Sequence, residues 1–178
     1  MFNKRLIALL SSGALLLAAC TADNSEEQVG EKLTTKKENV VVHDELPVVE
    51  LSPDEEERYA SFTKDLNLEH LKGLKPKSVA KMYVQAILDK KYEVQYALYT
   101  DREEAVQWSK EEDQSIPESD RGTIEQNRKL FNNIGKGEFI QISDYEGYIE
   151  YDSGEGISGF QMIKNDDGIW QVAFMPIQ

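Results

Sequence analysis

The clearest periodicity in the chain lies between Pro76 and Asp89. Val79, Met82, Tyr83, Ala86 and Ile87 fall at i, i+3, i+4, i+7 and i+8, and Lys77, Lys81, Gln85 and Asp89 take the other side. This spacing predicts an amphipathic helix with one face to bury. Upstream, Ser52-Pro53-Asp54-Glu55 has the form of a capping box, with proline at the first helical position and an acidic first turn. Tyr59, Phe62 and Leu66 then recur on one face, and Leu68 and Leu71 lead to a stop near Gly73. The face reads as core packing in preference to a partner-binding amphipathic segment. After Asp89-Lys90-Lys91, a second helix is expected from Tyr92 to Tyr99, with Tyr92, Tyr96 and Tyr99 on a shared face.

Beyond Thr100 the pattern weakens. Thr100 to Glu118 is charged and irregular, with a helical turn or two expected at Glu103 to Lys110 to bury Val106 and Trp108, and Ile116-Pro117 as the break. From Ser119 a capped helix is expected to run to about Ile134, with Ile124, Leu130, Phe131 and Ile134 inward and Gly135 just past its end. From Lys136 the period changes to two. Glu138 to Asp144 and Gly147 to Asp152 read as one bent strand or two, with Gly147 as a bulge. Asp152 to Gly156 turns the chain, Ile157 to Lys164 returns, Asn165 to Gly168 turns again, and Ile169 to Ile177 finishes. Trp170, Val172 and Phe174 alternate onto one face, as do Phe160 and Met162 on the preceding strand. Helices first and a meander last imply an α+β fold, its N-terminal helices packed on a C-terminal antiparallel sheet.

The first twenty residues obey a different logic. Lys4 and Arg5 precede an apolar run from Leu6 to Leu17 broken only by Ser11, Ser12 and Gly13, and Leu17-Ala18-Ala19-Cys20 closes it. Counted on through Ala19 the stretch is about 15 residues, shorter than the roughly 20 needed to span a bilayer. Cys20 is the single cysteine of the chain. The tetrapeptide resembles the lipobox of bacterial lipoproteins. That resemblance implies diacylglyceryl transfer to the Cys20 thiol, cleavage between Ala19 and Cys20, and a location on the outer side of the cell membrane, held by the lipid. From Thr21 to about Leu51 the residues are mostly polar and carry no burial pattern, which predicts a disordered tether with a reach of about 30 Å. The organisation expected is therefore a signal peptide over 1–19, lipidated cysteine and tether over 20–51, and one α+β domain over 52–178.

Charge narrows the partners. The 178 residues hold 20 lysines and arginines against 33 acidic residues, a formal charge of −13. Removing residues 1–19 takes away Lys4 and Arg5, leaving 159 residues with 18 basic and 33 acidic side chains, or −15. Such a surface repels nucleic acid and anionic lipid heads. With Cys20 lipidated, the domain stands on its apolar core without a disulfide.

The order of elements, a long helix at Ser78 to Asp89, a short helix ending in Tyr96 and Tyr99, a further helix and a terminal curled sheet, resembles the nuclear-transport-factor-2-like or cystatin-like cone over about Leu74 to Ile177. The strand such folds carry between the second and third helices has no counterpart in Thr100 to Glu118. Members of these folds include enzymes, ligand binders and interaction modules. A pocket in such a cone would involve Tyr83, Tyr96, Tyr99 and Trp170, with Tyr92 in a wider aromatic box. The alternative for tyrosines at helical spacing is a core role with a polar tip. A pocket enzyme would use carboxylates such as Asp144 or Glu150 beside tyrosine hydroxyls.

Catalytic and metal motifs are otherwise missing from the sequence. His43 falls in the tether and His70 near a helix end, where a solvent-facing or charge-partner role is expected. No serine sits in a glycine-flanked elbow, no histidine or cysteine set has zinc spacing, and Asp166-Asp167-Gly168 lacks the later ligands of a calcium loop. Neither Gly154-Glu155-Gly156 nor Gly135-Lys136-Gly137 has phosphate-loop spacing. The expectation is a non-catalytic binding domain without cofactor or metal. Its partner would be an envelope protein, a wall component or a small ligand.

Overall fold

A computed structural model describes residues 48–174. The lipobox with Cys20, the tether up to Pro47 and the final residues 175–178 lie outside the described residues. Helix α1, Pro53–Asp65, begins at the expected capping box: the Ser52 amide donates to Glu55 Oε2 at 2.7 Å and the Glu55 amide to Ser52 Oγ at 3.4 Å. Tyr59 and Phe62 are buried. The apolar run does not continue as one helix to Gly73. Leu66 turns left-handed at φ 57°, and a separate 3₁₀ turn, Leu68–Leu71, starts under an Asn67 cap and buries Leu71.

Helix α2, Pro76–Leu88, is the centre of the fold. Its expected stripe is buried, and so are Ala80 and Val84 on the flanks, because the helix packs against both the sheet and the neighbouring helices. Lys90 in the left-handed region turns the chain into α3, Tyr92–Ala97. This helix ends before Tyr99. The Thr100 amide donates to Val172 O at 2.8 Å and the Val172 amide to Leu98 O at 2.9 Å, so the backbone around Tyr99 forms a parallel bridge with Val172. A rudimentary strand thus follows α3, where the sequence shows no strand pattern.

The irregular segment is ordered differently from expectation. Val106 is 41% exposed, Trp108 is half-buried, and helix α4 starts only at Lys110, running to Ser115 from a capping box between Ser109 and Glu112. Gly122, at φ +74°, then separates a 3₁₀ turn at Glu118–Asp120 from α5, Ile124–Leu130, which is capped by Thr123. The expected single helix from Ser119 to Ile134 is therefore broken. Ile124 (42%) and Leu130 (53%) face outward, while Phe131 and Ile134, past the helix end, do the docking. Gly135 lies inside a 3₁₀ turn, Ile134–Lys136, which Asn133 enters in the left-handed region, and does not act as the helix cap.

The sheet is an antiparallel meander of β1 (Glu138–Gln141), β2 (Glu146–Asp152), β3 (Ile157–Lys164) and β4 (Trp170–Val172), in that order. Helices followed by this sheet make an α+β fold. Gly147 is not a bulge: it pairs in register with Gln141 and with Met162. Its missing side chain has another cause, since a Cβ there would meet Phe139 Cε2 at 2.6 Å and Ile140 O at 2.7 Å. Ile149, Phe160, Met162 and Val172 occupy corresponding inward positions across the strands and are buried under the helices. Among the described residues no helix is long and apolar enough to cross a membrane.

Candidate functional site

Three of the four candidate pocket residues belong to one aromatic cluster, and that cluster is packed with rings. Tyr83 and Tyr99 are buried and their hydroxyls share a hydrogen bond of 2.7 Å; Gln95 Nε2 donates to Tyr83 Oη at 3.0 Å. Tyr83 meets Tyr99 and Phe160 edge-on, both at 5.5 Å, and Phe131 at 6.3 Å. Tyr99 stacks on Phe174 at 4.5 Å, and Trp108 places its edge against both. Tyr96 lies at the rim, 6.1 Å from the Tyr99 and Phe174 rings, with its hydroxyl donating to Trp108 O at 3.2 Å. Burial raises the phenol pKa values of Tyr83 and Tyr99 above the usual value; for Tyr83 the neighbouring Tyr99 adds to it. Trp170 takes no part in these ring contacts. It packs edge-on to Phe139 at 5.0 Å, beside a different surface. Asp144 and Glu150 are exposed, so the carboxylates considered for a pocket enzyme face outward.

Among the hollows of the described surface, two adjoin residues singled out from the sequence. The smaller, about 280 Å³, is lined by Tyr92, Tyr96, Lys110, Asp113, Glu118 and Arg121 among others. Its charges answer one another. Arg121 and Asp113 form a buried ion pair at 3.0 Å with side chains 8% and 6% exposed, and Arg121 also donates to the Asp113 carbonyl. Trp108 Nε1 donates to Asp113 Oδ1 at 3.2 Å, and the Arg121 guanidinium lies 4.3 Å from the Tyr92 ring centre. Lys110 pairs with Glu93 at 2.6 Å and Lys90 with Glu118. These bonds hold the irregular segment against α3, which gives the pairs a structural role.

The larger hollow, about 540 Å³, lies where the start of α2 approaches the sheet. Lys75, Pro76 and Lys77 form one side, Gly137, Glu138, Phe139 and Gln141 the second, and Lys164 with Trp170 the third. Lys77 Nζ donates to Gly137 O at 3.1 Å. Lys164 Nζ donates to Asp144 O at 2.8 Å and lies 4.7 Å from the Trp170 ring centre. Of the four pocket candidates named from sequence, only Trp170 reaches this hollow. The lysines gave no signal at the level of sequence: Lys77 and Lys164 come from opposite ends of the domain and belong to no motif.

His70 Nε2 lies 3.1 Å from both Asp65 carboxylate oxygens, a charge-partner position on the surface. A second ion pair, between Lys81 and Glu55, is mostly buried, with side chains 14% and 9% exposed, and Lys81 Nζ also donates to Glu50 O at 2.8 Å. Burial raises the Glu55 pKa, but the Lys81 ammonium and the Ser52 amide outweigh it, and the net shift is downward. Among the described residues no three His, Cys, Asp or Glu side chains are grouped to hold a metal ion. No family model, curated protein or solved structure matches this chain.

Proposed function

We propose that the protein is a lipoprotein anchored through Cys20 to the outer side of the cell membrane, displaying a non-catalytic domain that binds an envelope component at its surface. The observation that carries this reading is the placement of the single cysteine directly after Leu17-Ala18-Ala19, at the one position where lipidation needs it. Two acyl chains make a stable anchor, at about 0.8 kcal/mol for each buried methylene. The partner is an envelope protein, a wall component or a small ligand. Surface binding is favoured over an enclosed ligand because Phe174, Trp108, Phe131 and Phe160 fill the space around Tyr83 and Tyr99.

Mass spectrometry of the N-terminal peptide from the membrane-bound protein tests the anchor. A diacylglyceryl-modified Cys20 is expected, with Cys20→Ala leaving an unprocessed, larger precursor. An unmodified Cys20 in the wild-type protein overturns the reading. Capture of envelope material by the anchored full-length protein, compared with a soluble chain from Leu51 onward that carries neither the apolar segment nor Cys20, tests the binding role.

A further inference from the structure

We propose that the larger hollow is a binding site for a phosphorylated polyol or sugar, with the phosphate held by Lys75, Lys77 and Lys164 and the hydroxyls met by Glu138 and Gln141. The assignment deepens the surface-binding reading above and rests on it for the envelope context.

Charge carries the argument. Among the described residues most lysines and arginines have a carboxylate within reach: Lys81 pairs with Glu55, Lys91 with Asp89, Arg102 with Asp166 and Arg121 with Asp113. The three lysines of the hollow pair with no carboxylate among the described residues. Lys77 and Lys164 are instead held by backbone carbonyls, which fix the ammonium groups without neutralising them and leave protons to donate. Lys75 precedes the first helical residue and makes no side-chain cap. Glu138 lines the same space without forming an ion pair to any of the three, so three positive charges face one negative. On a surface of overall negative charge this is a local excess of two positive charges, which favours an anionic ligand.

The remaining walls set the rest of the ligand. A volume of about 540 Å³ is in the range of small-molecule sites. Glu138 offers acceptors and Gln141 both donor and acceptor, suited to hydroxyl groups. Phe139, Pro76 and Trp170 supply apolar surface for the carbon face of a polyol or sugar ring. Bare phosphate would leave Glu138 opposed to an anion; a hydroxyl between them resolves the conflict.

Calorimetric titration of the purified full-length protein with glycerol 3-phosphate tests the site. Saturable binding is expected, weakening as salt is raised and falling at least tenfold in Lys77→Gln and in Lys164→Gln. Lys75→Gln, at an exposed residue with no bond to lose, guards against a folding artefact and should weaken binding several-fold. Lys136→Gln, outside the hollow, should leave it unchanged. Glycerol alone should not bind, and inorganic phosphate should bind more weakly than glycerol 3-phosphate. No saturable binding, or equal binding by wild type and all three hollow variants, overturns the proposal, as does inorganic phosphate binding as tightly as glycerol 3-phosphate. A polyglycerol phosphate chain binding more tightly than the monomer assigns the ligand to a polymer; the reverse order assigns it to a free metabolite. The two readings fail separately. An unmodified Cys20 removes the anchor and leaves the titration standing, whereas a negative titration with envelope material still captured removes only this site.

Discussion

The hydroxyls of Tyr83 and Tyr99 meet at 2.7 Å inside the domain, one carried by α2 and the other by the backbone that bridges to β4. This bond ties helix to sheet where both side chains are buried. Tyr99→Phe should cost about 1–3 kcal/mol, because it leaves a buried hydroxyl short of a partner. The buried phenols also predict a loss of stability in alkali. Below about pH 10 both states hold the protons. Above it, tyrosines of the unfolded chain ionise while Tyr83 and Tyr99 in the fold stay neutral, so stability falls as pH rises. Denaturant melts from pH 8 to 11 should show the decline, less steep in Tyr99→Phe.

Glu55 sets the acid side. Its carboxyl pKa is lowered in the fold from an ordinary value of 4.5, so between the two values the unfolded chain binds more protons. The stabilisation is complete at neutral pH and is lost as pH falls through 4.5 and on through the folded value. Glu55→Gln should flatten that limb in melts between pH 6 and 3. Lys81→Met, which leaves the carboxylate in place without its ammonium, should cost about 1–3 kcal/mol at pH 7.

Ile87 of α2 and Phe174, two residues past the end of β4 where the sequence predicts the strand to continue, test the packing of the core. Both are more than nine-tenths buried, and Phe174 stacks on Tyr99 while abutting Trp108 and Tyr96. Truncation of either to alanine should cost roughly 2–5 kcal/mol, measured by chemical denaturation. His70→Ala, whose partner Asp65 lies on the surface, should change the midpoint little.

Gly147→Ala should destabilise by about 1–3 kcal/mol through overpacking, since the new methyl meets the Phe139 ring and the Ile140 carbonyl. Combining it with Phe139→Ala should show positive coupling in a double-mutant cycle, though incomplete rescue because the carbonyl remains. Full additivity would place the clash elsewhere.

Much of this architecture is written in local pattern. The Ser52 capping box, the Val79-to-Ile87 stripe and the two Gly-containing turns of the meander each depend on residues close in sequence, where helix and strand periods and turn chemistry act directly. Failures fall where distant partners decide. Ile124 and Leu130 have the spacing of inward residues, but left-handed Gly122 and Asn133 bracket a helix too short to carry them to the core. Trp108 falls in the expected Glu103-to-Lys110 turns, yet it lies before α4 and is placed by Asp113, Tyr99 and Phe174. Gly147 reads as a bulge in sequence because the ring that excludes a side chain there sits on the neighbouring strand. The basic hollow was equally silent, since its lysines acquire a common address only after α2 has settled against the sheet.

The Tyr99–Val172 bridge also fixes when the core can close. Gln171, next along β4, donates from Nε2 to Tyr99 O across a sequence separation of 72 residues. During synthesis, α1 to α3 emerge with their apolar faces uncovered, and the strand that must meet Tyr99 comes last. Folding should therefore wait for β4 and depend on long-range closure, in the manner of high-contact-order domains. A chain stalled before Trp170 would present the α2 stripe to whatever surface lay nearest, which makes the interval before β4 arrives the period when this protein has most need of a chaperone.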